Sequence, residues 1–570
     1  MNNTIGIVGG GLAGLTAAYY LVKNDYNVVI YEGNNRLGGR VYSGKFPNGQ
    51  IYENGGELID STHKDLLHLI KELNLKVNDE LKELEQEPSK KELTYVIDYP
   101  DDKHSKHDIH KVKYSKSEAA NDYFNKVNPS TNLSIFQQIY HDAKNIYPKN
   151  FINGKTVWPL IYDNTYNNID KKNLEEYICK LTSFLRKDKN GSKTKLAQLF
   201  NQAFLTECGA EIDKLSPINF LKLLDFDTEK TNEPLNYPAG KVPENLFSLF
   251  GDSDERFHIQ NGNHSIIKNL KNYLCRSNKC KIKMGYFLTK IKHCSSSNTI
   301  DKYNNKSYKL FFKRSDDSCF SCIHNHIVIA IPFSTIRKCN LFPEKFVDIE
   351  ESNFSMLKKY AIQHLPMGKN SKLNIQFLKK FWKKDERSVS IFVNNNGYWD
   401  VSRAQSHETG ILVEFKGGER CDTSSTHEFI EETLKYNSEI KRETESCLNV
   451  LQEIFPDTRK HFKHSYHPET KKITNVVGYC WHHSHWVKGS YSYWGPGQYN
   501  GYKNYITGKE KSSDKISFAG YEGVPEPYNK EQTGNCHFAG EHTSFMFQGY
   551  MNGAVESGIR VANEIMRLTK

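Results

Sequence analysis

An α/β fold built around a parallel sheet is predicted by three observations. The first is an N-terminal apolar run, Ile5-Gly6-Ile7-Val8, that enters a glycine-rich turn and then a helix-forming stretch from Leu12 to Leu21. The second is a β-branched run, Asn27-Val28-Val29-Ile30-Tyr31, closed by the acid Glu32. The third lies far downstream. His326-Ile327-Val328-Ile329-Ala330-Ile331 is a short apolar run stopped by Pro332, the pattern of a strand buried on both faces. Strand, tight turn, helix and strand within about 30 residues is the unit that binds a dinucleotide.

Each part of the turn has a physical task. Gly9-Gly10-Gly11-Leu12-Ala13-Gly14 satisfies G-x-G-x-x-G. Gly9 permits the sharp turn, Gly11 lets backbone approach a pyrophosphate, and Gly14 lets the helix pack against the strands. Leu12 and Ala13 open that helix, whose unpaired N–H groups and positive dipole end face the phosphates. Glu32 follows Gly14 near the spacing of about 20 residues expected of an acid that accepts hydrogen bonds from ribose hydroxyls.

Composition narrows the function classes. The 570 residues allow more than one domain at about 150 residues each. A chain 37% hydrophobic and 25% charged is an ordinary globular sequence. The net charge of +10 comes from Lys residues scattered among Asp, Glu and Asn, which reads as a solvated surface rather than a nucleic-acid stripe. No run of about 18 apolar residues is present, so no membrane-spanning helix is expected. The chain start lacks a basic segment followed by an apolar one, so a cytoplasmic location is expected. The twelve cysteines do not form a disulfide framework, and the one CxxC, Cys319 to Cys322, has no second pair to build a zinc site. His482, His483 and His485 lack the i, i+4 pair plus acid of a metal motif, so no metal is expected.

The stretch after the second strand, Asn35-Arg36-Leu37-Gly38-Gly39-Arg40-Val41, resembles the R-x-G-G-R segment of the glutathione-reductase-like FAD proteins in the flavin-containing amine oxidase superfamily. The resemblance implies FAD, with Gly39 and Arg40 along its diphosphate and ribityl chain. Glu53-Asn54-Gly55-Gly56-Glu57-Leu58-Ile59-Asp60 looks like the segment that passes beneath the isoalloxazine, implying contacts from Gly55, Gly56 and Glu57. Residues 254–263 are similar to a D-E-R-x-x-I-x-G-G-N stretch, with Asn261 where the first glycine is usual. Leu288 matches a backbone contact to adenine. His537-Phe538-Ala539-Gly540-Glu541-His542-Thr543, continued by Gln548-Gly549-Tyr550-Met551, resembles the family's closing A-G-E…G-Y-M segment. That match implies that Gly540 and Glu541 hold the ribityl chain or diphosphate. It also implies that Gly549 and the N–H groups of Tyr550 and Met551 lie at the flavin's pyrimidine end.

The implied architecture is a discontinuous, glutathione-reductase-like Rossmann domain for FAD from residues 1–75, 236–335 and 481–570. A mixed α+β substrate domain comes from 76–130 and 336–480, and a helical insertion from 131–235. Residues 80–120 are charge-dense and read as exposed loops and a hairpin.

Three further residues carry the implied chemistry. Lys372, in Asn370-Ser371-Lys372-Leu373-Asn374-Ile375-Gln376-Phe377, resembles the active-site lysine that holds a water against flavin N5. Tyr491 falls on one wall of an aromatic cage, in a segment that begins at Trp481, itself a cofactor neighbour. Tyr550 forms the other wall. Covalent members attach the flavin through a cysteine just before the first cage tyrosine; here that position is Ser490, which implies noncovalent FAD. The implied function is oxidation of a small-molecule amine or L-amino acid to an imine, with O2 reduced to H2O2. Leu58 stands where some L-amino-acid oxidases carry an arginine for the substrate carboxylate, whereas the Phe-Ala-Gly-Glu-His-Thr segment leans toward amino acids. A polyamine or monoamine oxidase, a flavin desaturase and a non-catalytic FAD-binding protein are the alternatives, and a homodimer is left open.

Overall fold

The computed structural model describes residues 4–79, 91–98, 110–114, 125–146, 150–152, 155–157, 168–185, 195–221, 223, 236–241, 253–295, 306–338, 340, 343–344, 346–354, 356–383, 386–393, 396–403, 405–426, 430–498, 535–544 and 547–569. Its central element is a parallel sheet of β1 (Thr4–Val8), β2 (Asn27–Glu32), β3 (Cys280–Met284), β4 (Ile327–Ile329) and β5 (Cys536–Phe538). Their spatial order is β3-β2-β1-β4-β5, and every pairing is parallel. The strands therefore come from three separate stretches of chain, including both ends.

The sheet is buried on both faces, and the period-2 alternation of its side chains shows how. Ile5, Ile7, Val28, Ile30 and Val328 point into one core with Leu15, Leu66, Leu270 and Val561. These come from α1 (Leu12–Lys23), α2 (Lys64–Glu72), α3 (His264–Arg276) and α4 (Met551–Thr569). The opposite parity, Val8, Tyr31, Ile327 and Ile329, meets Leu288, Leu310 and Phe312. These last three belong to an antiparallel sheet of Tyr286–Ser295, Lys306–Arg314 and Cys319–His324. Each large aliphatic side chain so buried contributes about 1.5–3 kcal/mol.

The second large sheet has seven described strands, in the order Val476–Cys480, Asn370–Phe377, Gly410–Gly417, Asn396–Asp400, Glu386–Val393, Lys91–Asp98 and His110–Tyr114. Lys91–Asp98 and His110–Tyr114 form the expected hairpin. The hairpin is not a separate exposed feature, because Lys91–Asp98 also pairs in parallel with Glu386–Val393 and so extends the sheet. Residues 80–90, 99–109 and 115–124 lie outside the described residues. The helical insertion contains Ile135–Ile146, Leu174–Thr182 and Lys195–Cys208. Asn173 caps the second of these in a reciprocal capping box with Glu176. Among the described residues, no helix is long and apolar enough to cross a membrane.

The two ends of the chain meet where α4 crosses α1. A Cβ placed on Gly558 would stand 2.6 Å from Ala13 O and 2.9 Å from Thr16 Cβ. Backbone cannot yield there as a flexible side chain would. We expect Gly558→Val to destabilise the fold by about 1–3 kcal/mol through overpacking. The thermal unfolding midpoint checks this, and an unchanged midpoint would remove the close-packing account.

Candidate active site

The nucleotide end follows the glycine-rich turn. α1 begins at Leu12, with Gly11 as its N-cap and no acidic residue in its first turn. Nothing stands within 4 Å of a Cβ placed on Gly11, so the helix end is open to a ligand. A side chain at Gly14 would instead run into the Gly9 carbonyl. Glu32 accepts hydrogen bonds from the N–H groups of Gly10 (2.6 Å) and Asn34 (2.8 Å). Burial raises its carboxyl, and these two bonds oppose the rise. Glu32 and Leu288 line one pocket together with Gly33, Phe287, His485 and Trp486. An open helix end, an acid and an apolar slot in one groove fit the phosphates, ribose and adenine of a dinucleotide.

The groove continues to Arg40, which lies beside Gly39. Arg40 donates from Nη1 to Ser490 O (2.7 Å) and to Glu541 Oε1 (2.6 Å). Glu541 also accepts from Ser492 Oγ (2.8 Å) and from the Gly549 N–H (2.9 Å). Burial pushes the Glu541 carboxyl up, but Arg40, foremost of several opposing groups, outweighs it and holds the group below its ordinary value. Gly540 is pinned by its N–H to Ser557 Oγ at 2.9 Å. The expectation that the Tyr550 N–H is offered to a cofactor is corrected here. It donates to Phe547 O at 3.1 Å, inside the turn that starts α4, which leaves Met551 at the first turn.

Beyond Arg40 the groove is floored by Gly55 and Gly56. The Gly56 N–H donates to Arg40 O at 3.0 Å. A side chain on Gly55 would collide with that same carbonyl, and one on Gly56 would meet Met551. Trp481 closes the segment from the side, its Nε1 donating to Asn54 O at 2.8 Å. Asn263 pins it from below, its Nδ2 donating to Gly56 O (3.0 Å) and Glu57 O (2.7 Å). Asn261, which replaces a glycine, has φ 71°, a left-handed conformation that asparagine tolerates better than most residues. Lys372 reaches this floor from the strand Asn370–Phe377, donating to Gly55 O (3.0 Å) and Glu57 Oε2 (2.5 Å).

Tyr491 and Tyr550 are both tied to one helix end. The Tyr491 hydroxyl donates to Thr206 O at 3.0 Å, and that of Tyr550 to Glu207 Oε1 at 2.9 Å. These acceptors are neighbours near the end of the helix Lys195–Cys208. Burial first, then Glu207, lifts both phenols well above their ordinary range, so both remain protonated donors. Glu207, Tyr491 and Tyr550 keep partial surface exposure while crowded by protein, as side chains lining an internal space do.

That space is acidic. Burial raises the Glu207 carboxyl, with the Tyr550 hydrogen bond opposing it. Glu255 is exposed by surface area yet so surrounded by protein that burial raises its carboxyl to about 7. Arg403 opposes this rise, and Glu207, Asp60 and Glu57 reinforce it. The Asp60 carboxylate accepts from the Glu255 N–H at 2.8 Å and from Ser253 Oγ at 3.0 Å. Glu255 holds φ 45°, a costly backbone state for a non-glycine residue, of the kind that collects at functional sites.

The predicted site residues fall into three groups that adjoin through close backbone approaches, Gly39 beside Gly11, and Gly55 and Gly56 beside Arg40. Gly9, Gly11, Leu12, Ala13, Gly14, Glu32 and Leu288 lie at one end. Gly39, Arg40, Gly540, Glu541 and Gly549 lie in the middle. Gly55, Gly56, Glu57, Trp481, Met551, Lys372, Tyr491 and Tyr550 lie at the other. Glu207 and Arg403 were missed, since single charged residues in unremarkable segments carry no pattern. Asp60 and Glu255 sat inside quoted motifs, but only the fold turns them toward the tyrosines.

A family model of flavin-containing amine oxidoreductases matches residues 12–566. Flavin-containing amine oxidase A from Bos taurus is 21% identical, covering 98% of this chain and 84% of its own length. An L-amino acid dehydrogenase from Synechocystis is 42% identical over 69 residues, covering 12% of this chain and 15% of its own length. Among solved structures, a putrescine oxidase bound to putrescine superposes with a TM-score of 0.61 at 13% identity, covering 100% of this chain and 99% of that one. Cyclohexylamine oxidase from Brevibacterium oxydans gives a TM-score of 0.61 at 16% identity, with both chains fully covered. These likenesses establish the fold, and the match across nearly the whole sequence means that the chain belongs to the flavin-containing amine oxidoreductase family.

Proposed function

We propose that the chain is an FAD-dependent oxidase of cationic amines, diamines and polyamines foremost, that forms the imine and reduces O2 to H2O2. The observation that carries this reading is the acidic space facing the two tyrosines. Asp60, Glu207 and Glu255 meet there, and Glu57 adds a fourth carboxylate. Arg403 acts against Glu255, and Lys372 is paired to Glu57, so negative charge remains for a second ammonium group. A carboxylate-bearing substrate would meet repulsion at the same place, and Leu58 offers it no clamp.

When bound, the flavin supplies the two-electron acceptor for the substrate's C–H bond. The chain's own residues orient the amine and manage its proton. Tyr491 and Tyr550 present faces that steer the nitrogen and exclude water. Glu207, raised by burial and held against Tyr550, is suited to take the ammonium proton and leave the reactive neutral amine. A second reading, an L-amino acid substrate, is favoured by Arg403, a cation acting on the same space.

Noncovalent FAD is part of the proposal. Ser490 is buried, and its Oγ donates to Asn370 Oδ1 at 2.5 Å, so no thiol is available for attachment there. Acid precipitation should release the yellow colour into the supernatant, whereas colour retained on the pellet contradicts this. Oxygen uptake measured over diamines, polyamines, monoamines and twenty L-amino acids should be fastest with a diamine or polyamine. Turnover of amino acids alone would instead favour the Arg403 reading. Glu207→Gln should raise KM for the best diamine by about tenfold, the loss of one charge-assisted contact of about 1.4 kcal/mol, and, as the loss of the proton acceptor, should lower kcat for diamines and apolar monoamines alike.

A further inference from the structure

His63 is 2% exposed and stands between two parts of the candidate active site, Asp60 and Tyr550. It is the N-cap of α2, a place where Ser, Thr, Asp or Asn would bond the first turn. Its side chain caps nothing there, and the Leu66 N–H is met instead by Asn552 Oδ1 from α4 at 2.8 Å. The imidazole turns back along the chain. Its Nδ1 accepts from the Asp60 N–H at 3.1 Å, while the His63 N–H donates to Asp60 O at 3.1 Å. An accepting Nδ1 leaves the ring proton on Nε2, and that nitrogen lies 3.4 Å from Asp60 Oδ2. Burial, opposed by Asp60 and Asp254, holds the imidazole below its ordinary pKa, so near neutrality the ring is uncharged and has one proton to offer.

The same ring packs against the C-terminal segment. Its centre is 5.3 Å from that of Tyr550 and 5.6 Å from that of Phe547. Asp60 in turn carries the loop that follows it in space. Its Oδ1 accepts from Ser253 Oγ and from the Glu255 N–H, and the Ser61 N–H donates to Asp254 Oδ1 at 2.8 Å. We propose that His63 is a positioning residue that fixes the separation between the Tyr550 wall and the acids Asp60 and Glu255, and thereby sets which spacing of two ammonium groups the enzyme prefers. The inference rests on the diamine reading. The tyrosine faces steer the reacting nitrogen, and the acids draw the second ammonium, so the gap between them must match the length of the substrate. One flat ring touches both sides of that gap. A displacement of about 1 Å by a residue away from the chemistry can cost about a hundredfold in rate, which is why a brace at this place acts on specificity.

The test is steady-state turnover of the holoenzyme over a homologous series of α,ω-diamines and the matching n-alkyl monoamines. Flavin retained per protomer, read from the spectrum, separates the effect from loss of cofactor. His63→Phe keeps a ring against Tyr550 and Phe547 but removes both nitrogens that hold Asp60. It should raise KM for the best diamine by about tenfold, the size of one hydrogen bond to a charged group, while KM for the matching monoamine stays within about twofold. The preferred diamine length should shift or its optimum flatten. His63→Asn, which returns an acceptor to the Asp60 N–H, should recover part of the diamine KM. Ser253→Ala loosens the same carboxylate from its other side without disturbing the buried ring. It should raise the diamine KM selectively too, and it decides the matter if His63→Phe does not fold. An unchanged ratio of diamine to monoamine KM, in whichever of His63→Phe and Ser253→Ala retains flavin, overturns the proposal and leaves the diamine reading standing. A wild-type enzyme that oxidises monoamines as readily as diamines overturns both.

Discussion

The ion pair between Arg40 and Glu541 is the constraint on which the rest depends. It joins residues near opposite ends of the sequence at 2.6 Å, with the Glu541 side chain only 5% exposed. Such a pair is not a cheap source of stability, since two charges must leave water. Removing one partner is far worse than never having the pair, because a lone buried charge costs about 3–5 kcal/mol. The chain offsets the desolvation by giving Glu541 further donors on Ser492 and Gly549. Through those bonds one carboxylate fixes the loop bearing Tyr491, the turn bearing Tyr550 and the arginine at the centre of the groove.

The helical insertion completes the far end of the groove by a similar economy. Thr206 and Glu207, adjacent in sequence, receive the two tyrosine hydroxyls. One helix terminus therefore sets the spacing and tilt of both rings, although Tyr491 and Tyr550 come from different segments. Asn370, beside Lys372 in sequence, bonds Thr206 O through its Nδ2 at 2.9 Å and Ser490 Oγ through its Oδ1. The strand that carries the lysine and the helix that holds the tyrosines are thus connected by a single amide side chain, and a shift of one is felt by the other.

What the sequence made legible has a common physical character. The parallel sheet was readable because burial on both faces demands unbroken runs such as residues 327–329, and the phosphate turn because only glycine permits its approaches. Gly9, Gly14 and Gly55 were readable because each stands where a side chain would run into backbone. The acidic space was not readable in this way. Glu207 lies in a helix that packs through Phe200, Ala203 and Phe204, and nothing local marks a carboxylate that matters because Tyr550 arrives from 343 positions away. The Tyr550 N–H was misassigned for a related reason, since a hydrogen bond to Phe547 inside a turn depends on a backbone path that residue types alone do not fix. The hairpin near residue 100 was recognised as a hairpin, but its pairing with Glu386–Val393 is a contact across nearly 300 positions that composition does not encode.

The acids also impose a direction on proton flow. Burial raises the Glu255 carboxyl to about 7 even with Arg403 opposing it, so close to neutrality it is part protonated. A substrate ammonium brought beside it favours the ionised form, lowering its pKa and expelling that proton. Such a raised carboxyl gains its charge on binding rather than on folding, so the chain does not carry the full repulsion of Asp60, Glu57, Glu207 and Glu255 when the space holds no cation. The same logic separates the two ends of the groove. Glu541 and Glu57 are held below their ordinary values by Arg40 and Lys372, and so act as permanent charges that fix geometry. Glu207 and Glu255 are held above theirs, and so can exchange protons with what enters. What separates the two kinds of carboxylate is contact: Glu541 and Glu57 pair directly with Arg40 and Lys372, whereas at Glu255 burial outweighs the pull of Arg403.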